Sequence, residues 1–395
     1  MEKALKIAHC VESYFPAKGG MPEVVRQLSE RMAANGHDVT VFTSHHPDRT
    51  LDAIKGVRIK SYAVIGNEVN GIVGDTSGYI NDLRSGDFDV IVCFAAQQWS
   101  YDAIADELPN IPGKKVFVPT GFSHFFNSGY VEYFEQLKRR IKYFDANVFL
   151  SNDYVDINFA RANNAHGICI IPNGAAEEEF ERDGTNSIRE KLNISQDAQL
   201  VLHVGSYTGI KGHREAIELF IRAKTDNAVL LLVGEKNKIL KKYFHSHPSY
   251  FKLNLLCILK RKRILFEELS REETVAAFKS ANLFLFPSNV ECSPIVLFES
   301  MAAGVPFLAS AAGNTAEIIE WSNGGWLLPC ARRTNGWVDV KLDEAVPVLE
   351  QILQNKIALR EAGKNGHAAW KLRFTWSLIT REYLKLYQSL LSKLE

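Results

Sequence analysis

The chain has 395 residues, of which 46% are hydrophobic and 23% charged, a globular balance with room for two or three domains and ample core. Lys plus Arg and Asp plus Glu each number 46, so the basic excess expected of a nucleic-acid binder is absent. Cys10, Cys93, Cys169, Cys257, Cys292 and Cys330 are scattered without short paired spacings, which argues against a disulfide frame or zinc cluster and predicts reduced thiols. The N-terminus enters a strand almost at once, with no secretory pattern and no apolar run long enough to span a bilayer, so the expected location is cytoplasmic.

In chain order, Leu5–Val11 reads as an apolar strand, followed by a loop ending in Gly19-Gly20. A helix is predicted from about Pro22, with Val24, Val25, Leu28 and Met32 on one face and Asn35-Gly36 at its end. Val39–Thr43 is the next strand, which completes a β-loop-α-β unit of a doubly wound fold. Val57–Tyr62, Val90–Phe94, the run from Lys115, Ala146–Leu150 and the run from Ile168 continue the strands. Asp87 and Asp89 form an acidic pair at a strand start, read as structural rather than metal-binding. Tyr130–Tyr143 reads as a helix bearing Lys138, Arg139, Arg140 and Lys142, a solvated face or a contact for an anionic acceptor or membrane surface. Pro172-Asn173-Gly174 is a strong breaker.

The second half repeats the alternation. Leu200–Val204 is a strand, then a loop from Gly205 and Ser206 to Lys211-Gly212, then a helix from about His213 to Ala223. Val229–Val233 and Ile264–Phe266 are strands, and the basic runs Lys236–Lys242 and Lys260–Arg263 read as surface. Ser270-Arg271-Glu272-Glu273 reads as a helix cap with an acidic box. The buried strand around Leu283–Phe286 leads into Asn289–Gly304, which carries Glu291 and Glu299. Ser293 is predicted as the N-cap and Pro294 as the first residue of a helix over 294–303, closed by Gly304. Backbone N–H groups at Cys292, Ser293, Pro294 and Ile295 would then lie beside two carboxylates (proline itself offering none). N–H groups suit phosphate and carboxylates suit hydroxyls, a pairing that fits a sugar nucleotide. Beyond it lie Phe307–Ser310, the glycine loop Gly313–Glu317, a helix over Leu342–Asn355 and a final amphipathic helix over about 376–394.

Glu291-x7-Glu299, set between that strand and the Ala302-Ala303-Gly304-Val305-Pro306 exit, resembles the acidic motif of the retaining GT-B glycosyltransferases of family 4, the glycosyl transferases group 1. The resemblance covers nearly the whole chain and is densest over 200–330. It implies an α/β fold of two facing Rossmann-like doubly wound domains with an interdomain cleft and a C-terminal helix crossing back. The domains expected are 1–172 for the acceptor, 173–375 for the nucleotide-sugar donor, and 376–395 as the returning helix. By the same resemblance Glu299 binds the ribose hydroxyls, and Glu291 holds the transferred sugar and its developing anomeric charge. Lys211 neutralises the leaving diphosphate, while Gly19, Gly20 and Gly205 let backbone approach the donor. Relatives carry Arg where this chain has Ser206, and a histidine before the glycine where it has Thr120. His124, three residues beyond Gly121, is the candidate replacement.

The expectation is a metal-independent enzyme without a cofactor that moves a sugar from a UDP- or GDP-sugar to a glycan, lipid or small-molecule acceptor. It has no nucleic-acid partner, and its location is cytoplasmic or at the inner face of the membrane. Ser206 and Thr120 leave a second reading, a sugar-nucleotide-binding or regulatory subunit with weakened chemistry. A third is a sugar-nucleotide epimerase or hydrolase on the same fold.

Overall fold

The computed structural model describes residues 3–182, 188–235, 242 and 261–392. The chain divides into two units, Met1–Asn173 with Trp376–Glu395, and Gly174–Thr375. The first is built on β1 (Lys6–Cys10), β2 (Asp38–Ser44), β3 (Ala53–Ile54), β4 (Val57–Tyr62), β5 (Val90–Phe94), β6 (Lys114–Val118), β7 (Ala146–Phe149) and β8 (Ile168–Ile170). They lie in the order β8-β7-β6-β5-β1-β2-β4-β3, and every pairing is parallel except the β3–β4 hairpin. β5 is buried along its whole length, as a parallel strand covered on both faces must be. Asp89 serves the sheet, accepting the Lys6 N–H at 2.8 Å.

Helix α1 (Gly20–Ala34) connects β1 to β2 and buries Val24, Val25, Leu28 and Met32. It begins two residues before the predicted Pro22, because Gly19 at φ 142° takes the N-cap and leaves Pro22 in the first turn, where a missing N–H costs nothing. The helix Trp376–Ser392 belongs to this unit and packs on α1 and β6. The predicted basic helix is shorter, α2 (Val131–Arg140), flanked by 3-10 turns. Its three cations are all committed to acids, and Lys142 falls in the following 3-10 turn. Lys138 pairs with Glu135, Arg139 with Asp106, and the buried Arg140 with both Asp106 and Glu68.

The second unit has β9 (Gln199–Val204), β10 (Ala228–Val233), β11 (Arg263–Glu267), β12 (Leu283–Phe286), β13 (Phe307–Ala309) and β14 (Gly325–Leu327). All are parallel, in the order β11-β10-β9-β12-β13-β14. Alternate strand residues point to opposite faces. One face packs on α3 (His213–Arg222) and the helix Leu342–Gln354. The other packs on α4 (Arg271–Ser280) and α5 (Ile295–Ala302). An eighteen-residue helix, α6 (Lys356–Arg373), was not expected, since Gly363 and Gly366 interrupt its helical signal. Its glycines permit close packing: a Cβ at Gly363 would come within 2.3 Å of the Gly304 carbonyl.

Of the basic runs, Lys236–Lys241 and Lys260 lie outside the described residues. Lys262, read as surface, is 3% exposed and donates to the Phe220 carbonyl at 2.7 Å, satisfying the C-terminus of α3. No disulfide forms among the described cysteines, and Cys257 lies outside them. No helix among the described residues is long and apolar enough to cross a membrane.

Candidate active site

Sheet order marks where a ligand fits. In an open parallel sheet the crevice lies where neighbouring strands send their connections in opposite directions, at their C-terminal ends. In the second unit that place is between β9, which leads through α3 to β10 on one side, and β12 on the other. The loops 205–212 and 287–294 leave these two strands, and they carry Lys211 and Glu291.

The two side chains meet across the crevice. Lys211 Nζ stands 2.7 Å from Glu291 Oε1, with side chains 29% and 9% exposed. Ser288 Oγ donates to the same Oε1 at 2.7 Å. The loops are also joined through backbone, for the Asn289 N–H donates to the Ile210 carbonyl at 2.9 Å. Gly212, at φ 73°, allows this approach: a Cβ there would lie 2.0 Å from the Pro287 carbonyl oxygen. Gly205 and the exposed Ser206 open the first loop. His213 donates from Nε2 to the Gly205 carbonyl at 3.0 Å, and its ring meets that of His203 edge-on at 4.5 Å. Burial depresses the His213 pKa to about 4, with Lys211 adding to the effect, so the loop rests on a neutral imidazole at neutral pH.

Helix α5 starts one residue later than predicted. Pro294, at ψ 113°, is the N-cap rather than the first helical residue, and its carbonyl accepts the Leu297 N–H at 3.1 Å. Ser293 is therefore displaced from the capping position and is buried instead. The first turn has no capping side chain and no acid, so beyond the Leu297 N–H bonded to Pro294 no side chain of the turn competes for its N–H groups. The other end follows the sequence signal: Gly304 sits at φ 69°, its N–H bonds the Met301 carbonyl, and the Val305 N–H bonds the Ser300 carbonyl, a Schellman closure. The glycine loop is tied in through the Asn314 N–H, which donates to the Cys292 carbonyl at 2.9 Å.

Glu299, one turn into α5, is 4% exposed. Its partner was not foreseen. Arg271 Nη1 stands 2.5 Å from Glu299 Oε1, while Arg271 Nε donates to Glu179 Oε2 at 2.9 Å. Burial works against the guanidinium charge, but Glu299 and Glu179 more than offset it and raise its pKa. The sequence signal for Arg271 was present but unread. It occupies the first position of α4, inside the capping box formed by Ser270 and Glu273, where a cation opposes the helix dipole.

In the first unit the corresponding crevice lies between β1 and β5. Glu12 N–H, after β1, points to Gln98 Oε1 at 3.4 Å, after β5. Three non-glycine residues at this edge adopt left-handed backbone: Ala95 at φ 61°, Gln97 at φ 64° and Thr120 at φ 61°. Each such conformation costs about 1–3 kcal/mol and gathers at functional edges. The candidate His124 is exposed and stacks on Tyr130 with ring centroids 4.4 Å apart. Gly19 and Gly20 are exposed at the start of α1. The structure thus brings Lys211, Glu291 and the start of α5 together in one unit, and holds His124, Gly19 and Gly20 in the other.

The description Glycosyl transferases group 1 matches residues 184–366, and Glycosyltransferase Family 4 matches residues 18–179. The N-acetyl-alpha-D-glucosaminyl L-malate synthase of Bacillus anthracis is 25% identical over 218 residues, 54% of this chain and 51% of that protein. This match therefore spans about half that relative's length. The lipopolysaccharide glucosyltransferase WaaG of Escherichia coli K12 is 24% identical over 82% of this chain and 84% of its own. The crystal structure of Anabaena HepE in complex with UDP-glucose superposes with a TM-score of 0.72 at 14% identity, covering 98% of this chain and all of that one.

Proposed function

For a chain that belongs to the group 1 glycosyltransferases and carries their GT-B fold, we propose the transfer of a sugar from a nucleoside diphosphate to a glycan, lipid or small-molecule acceptor, with retention at the anomeric carbon. The observation that carries this reading is the Lys211–Glu291 pair at the switch point of the second sheet. Lys211 is the cation for the leaving diphosphate. When it turns to phosphate, Ser288 keeps Glu291 in place through its own hydrogen bond, so the carboxylate remains set for the sugar's hydroxyls and its developing positive charge. The start of α5 at Ile295 and Val296, which carries no side-chain cap, turns N–H groups and a favourable dipole to the donor's oxygens. Glu299 receives the ribose hydroxyls through charge-assisted hydrogen bonds. The strained edge of the first unit, with His124 beside it, is the acceptor side. A glucosyltransferase among the relatives and a fold-mate crystallised with UDP-glucose support a nucleotide-sugar donor.

Calorimetric titration with UDP-, GDP- and ADP-sugars tests the donor. Lys211→Ala should lower transfer by about a hundredfold, and Glu299→Ala should weaken the titration seen with the wild type by about tenfold or more. Full transfer by both variants would end the assignment. The exposed Ser206, where relatives carry Arg, favours one second reading, a binding or regulatory subunit. Tight donor binding without transfer to any acceptor would establish it.

A further inference from the structure

We propose that Arg271 is a positioning residue that fixes the Glu299 carboxylate for a ribose, and thereby makes the protein prefer ribonucleotides over 2′-deoxyribonucleotides. The inference rests on the donor reading above.

The guanidinium is held from two sides by different elements. Nε and Nη2 both face Oε2 of Glu179, on the short helix Glu177–Phe180, and Nη1 faces Oε1 of Glu299 on α5. The Phe180 ring lies beneath it at 5.9 Å. A planar guanidinium bound along one edge cannot swing, so its remaining Nη1 is aimed. Glu299 hangs on several rotatable bonds and is buried, with 6% of its side chain exposed, while 43% of the Arg271 side chain reaches solvent. The ion pair removes that freedom and commits one oxygen of the carboxylate, so that an incoming hydroxyl meets a fixed acceptor.

Charge decides what this group recognises. The guanidinium is already engaged by carboxylate oxygens of Glu179 and Glu299 on two sides, so it is poorly placed to receive a diphosphate, whereas the carboxylate it orients suits a neutral hydroxyl donor. Arg271 is therefore not a substitute for the arginine missing at position 206. Its placement at the first position of α4, against the helix dipole, is offset by the two carboxylates it joins and by Glu272 and Glu273 in the same turn. A ribose offers two adjacent hydroxyls to such an acceptor. Removing one leaves part of a buried, oriented carboxylate without its donor, a loss that discriminates strongly.

The test is a ratio. UDP, GDP and ADP, each against its 2′-deoxy form, are titrated calorimetrically into the full chain. The wild type should bind one ribonucleotide about tenfold or more tightly than its deoxy form. Arg271→Ala should bring that ratio to within about twofold of unity, and Arg271→Lys, which keeps charge without the fork, should fall between. In a Glu299→Gln background the further change Arg271→Ala should leave the ratio where it was, since the two act as one unit. An unchanged ratio in Arg271→Ala, with both affinities lowered alike, would overturn the inference while leaving the donor reading intact. So would a further drop in the double variant. If the wild type binds none of the six nucleotides, the donor reading falls and this inference with it. Should Arg271→Ala fail to fold, Arg271→Lys decides alone, and a wild-type ratio there refutes the proposal.

Discussion

Burial sets the ionisation of several side chains in opposite directions, and each leaves a signature in stability. Asp102 accepts from the Glu68 N–H at 3.0 Å and the Tyr133 hydroxyl at 2.9 Å, yet burial outweighs both and raises its pKa to about 7. The folded chain therefore holds a proton there that the unfolded chain, with an aspartate near 3.9, releases. Its stabilisation is full below about pH 4 and is lost as pH rises toward 7, on the order of a few kcal/mol. Thermal melts at pH 5 and pH 8 should show this decline in the wild type and a flatter profile in Asp102→Asn; parallel profiles would refute it. His9 and His213 run the other way, with burial lowering them to about 3 and about 4. The unfolded histidines take up protons near pH 6.5, so the stability they confer is full above that pH and is lost as pH falls toward 4.

At the scale of the element, the donor site depends on two loops brought closer than side chains normally permit. Gly212→Ala puts a Cβ against the Pro287 carbonyl and also strains a residue at φ 73°. The loops must part, and Lys211 with them. A loss of about 1–3 kcal/mol in denaturant unfolding is expected, together with weaker donor binding. Gly209→Ala is the control, for it shares a positive φ of 85° but meets nothing within 4 Å, and so should cost only the backbone term of about 1–2 kcal/mol with less effect on the donor. Equal losses of donor affinity in the two would show that the close approach does not organise the site. The same element shows what sequence signals resolve. Gly304 and Pro306 located the end of α5, because a left-handed closure selects glycine locally. Its start slipped by one residue, because Pro294 adopted an extended ψ that Ser293-Pro294 does not reveal.

At the scale of the whole molecule, the chain passes between its two units twice, after Asn173 and after Thr375. The second passage delivers Trp376, Tyr383 and Tyr387, all buried, to the first unit. Tyr383→Ala should cost about 3–5 kcal/mol, and hydrogen exchange should show the loss of protection across β1, α1 and β6 while β9 and β12 keep theirs. Uniform loss across both units would mean that they unfold as one and would refute the separate accounting.

The sequence alone determined the two parallel sheets, most of their strands, and the stretches that bear Lys211, Glu291 and Glu299. These rest on local rules: buried parallel strands are apolar throughout, glycine ends helices, and an acidic motif keeps its spacing. Tertiary structure decided the pairings. That Lys211 meets Glu291, that Arg271 joins Glu299 to Glu179, and that Lys262 is buried beneath a helix end depend on sheet order, which brings together residues 80, 28 and 92 positions apart in the first three contacts. A charged side chain far along the chain carries no local mark of its partner. Its role follows from which strands become neighbours, and that is settled by the burial of the whole sheet.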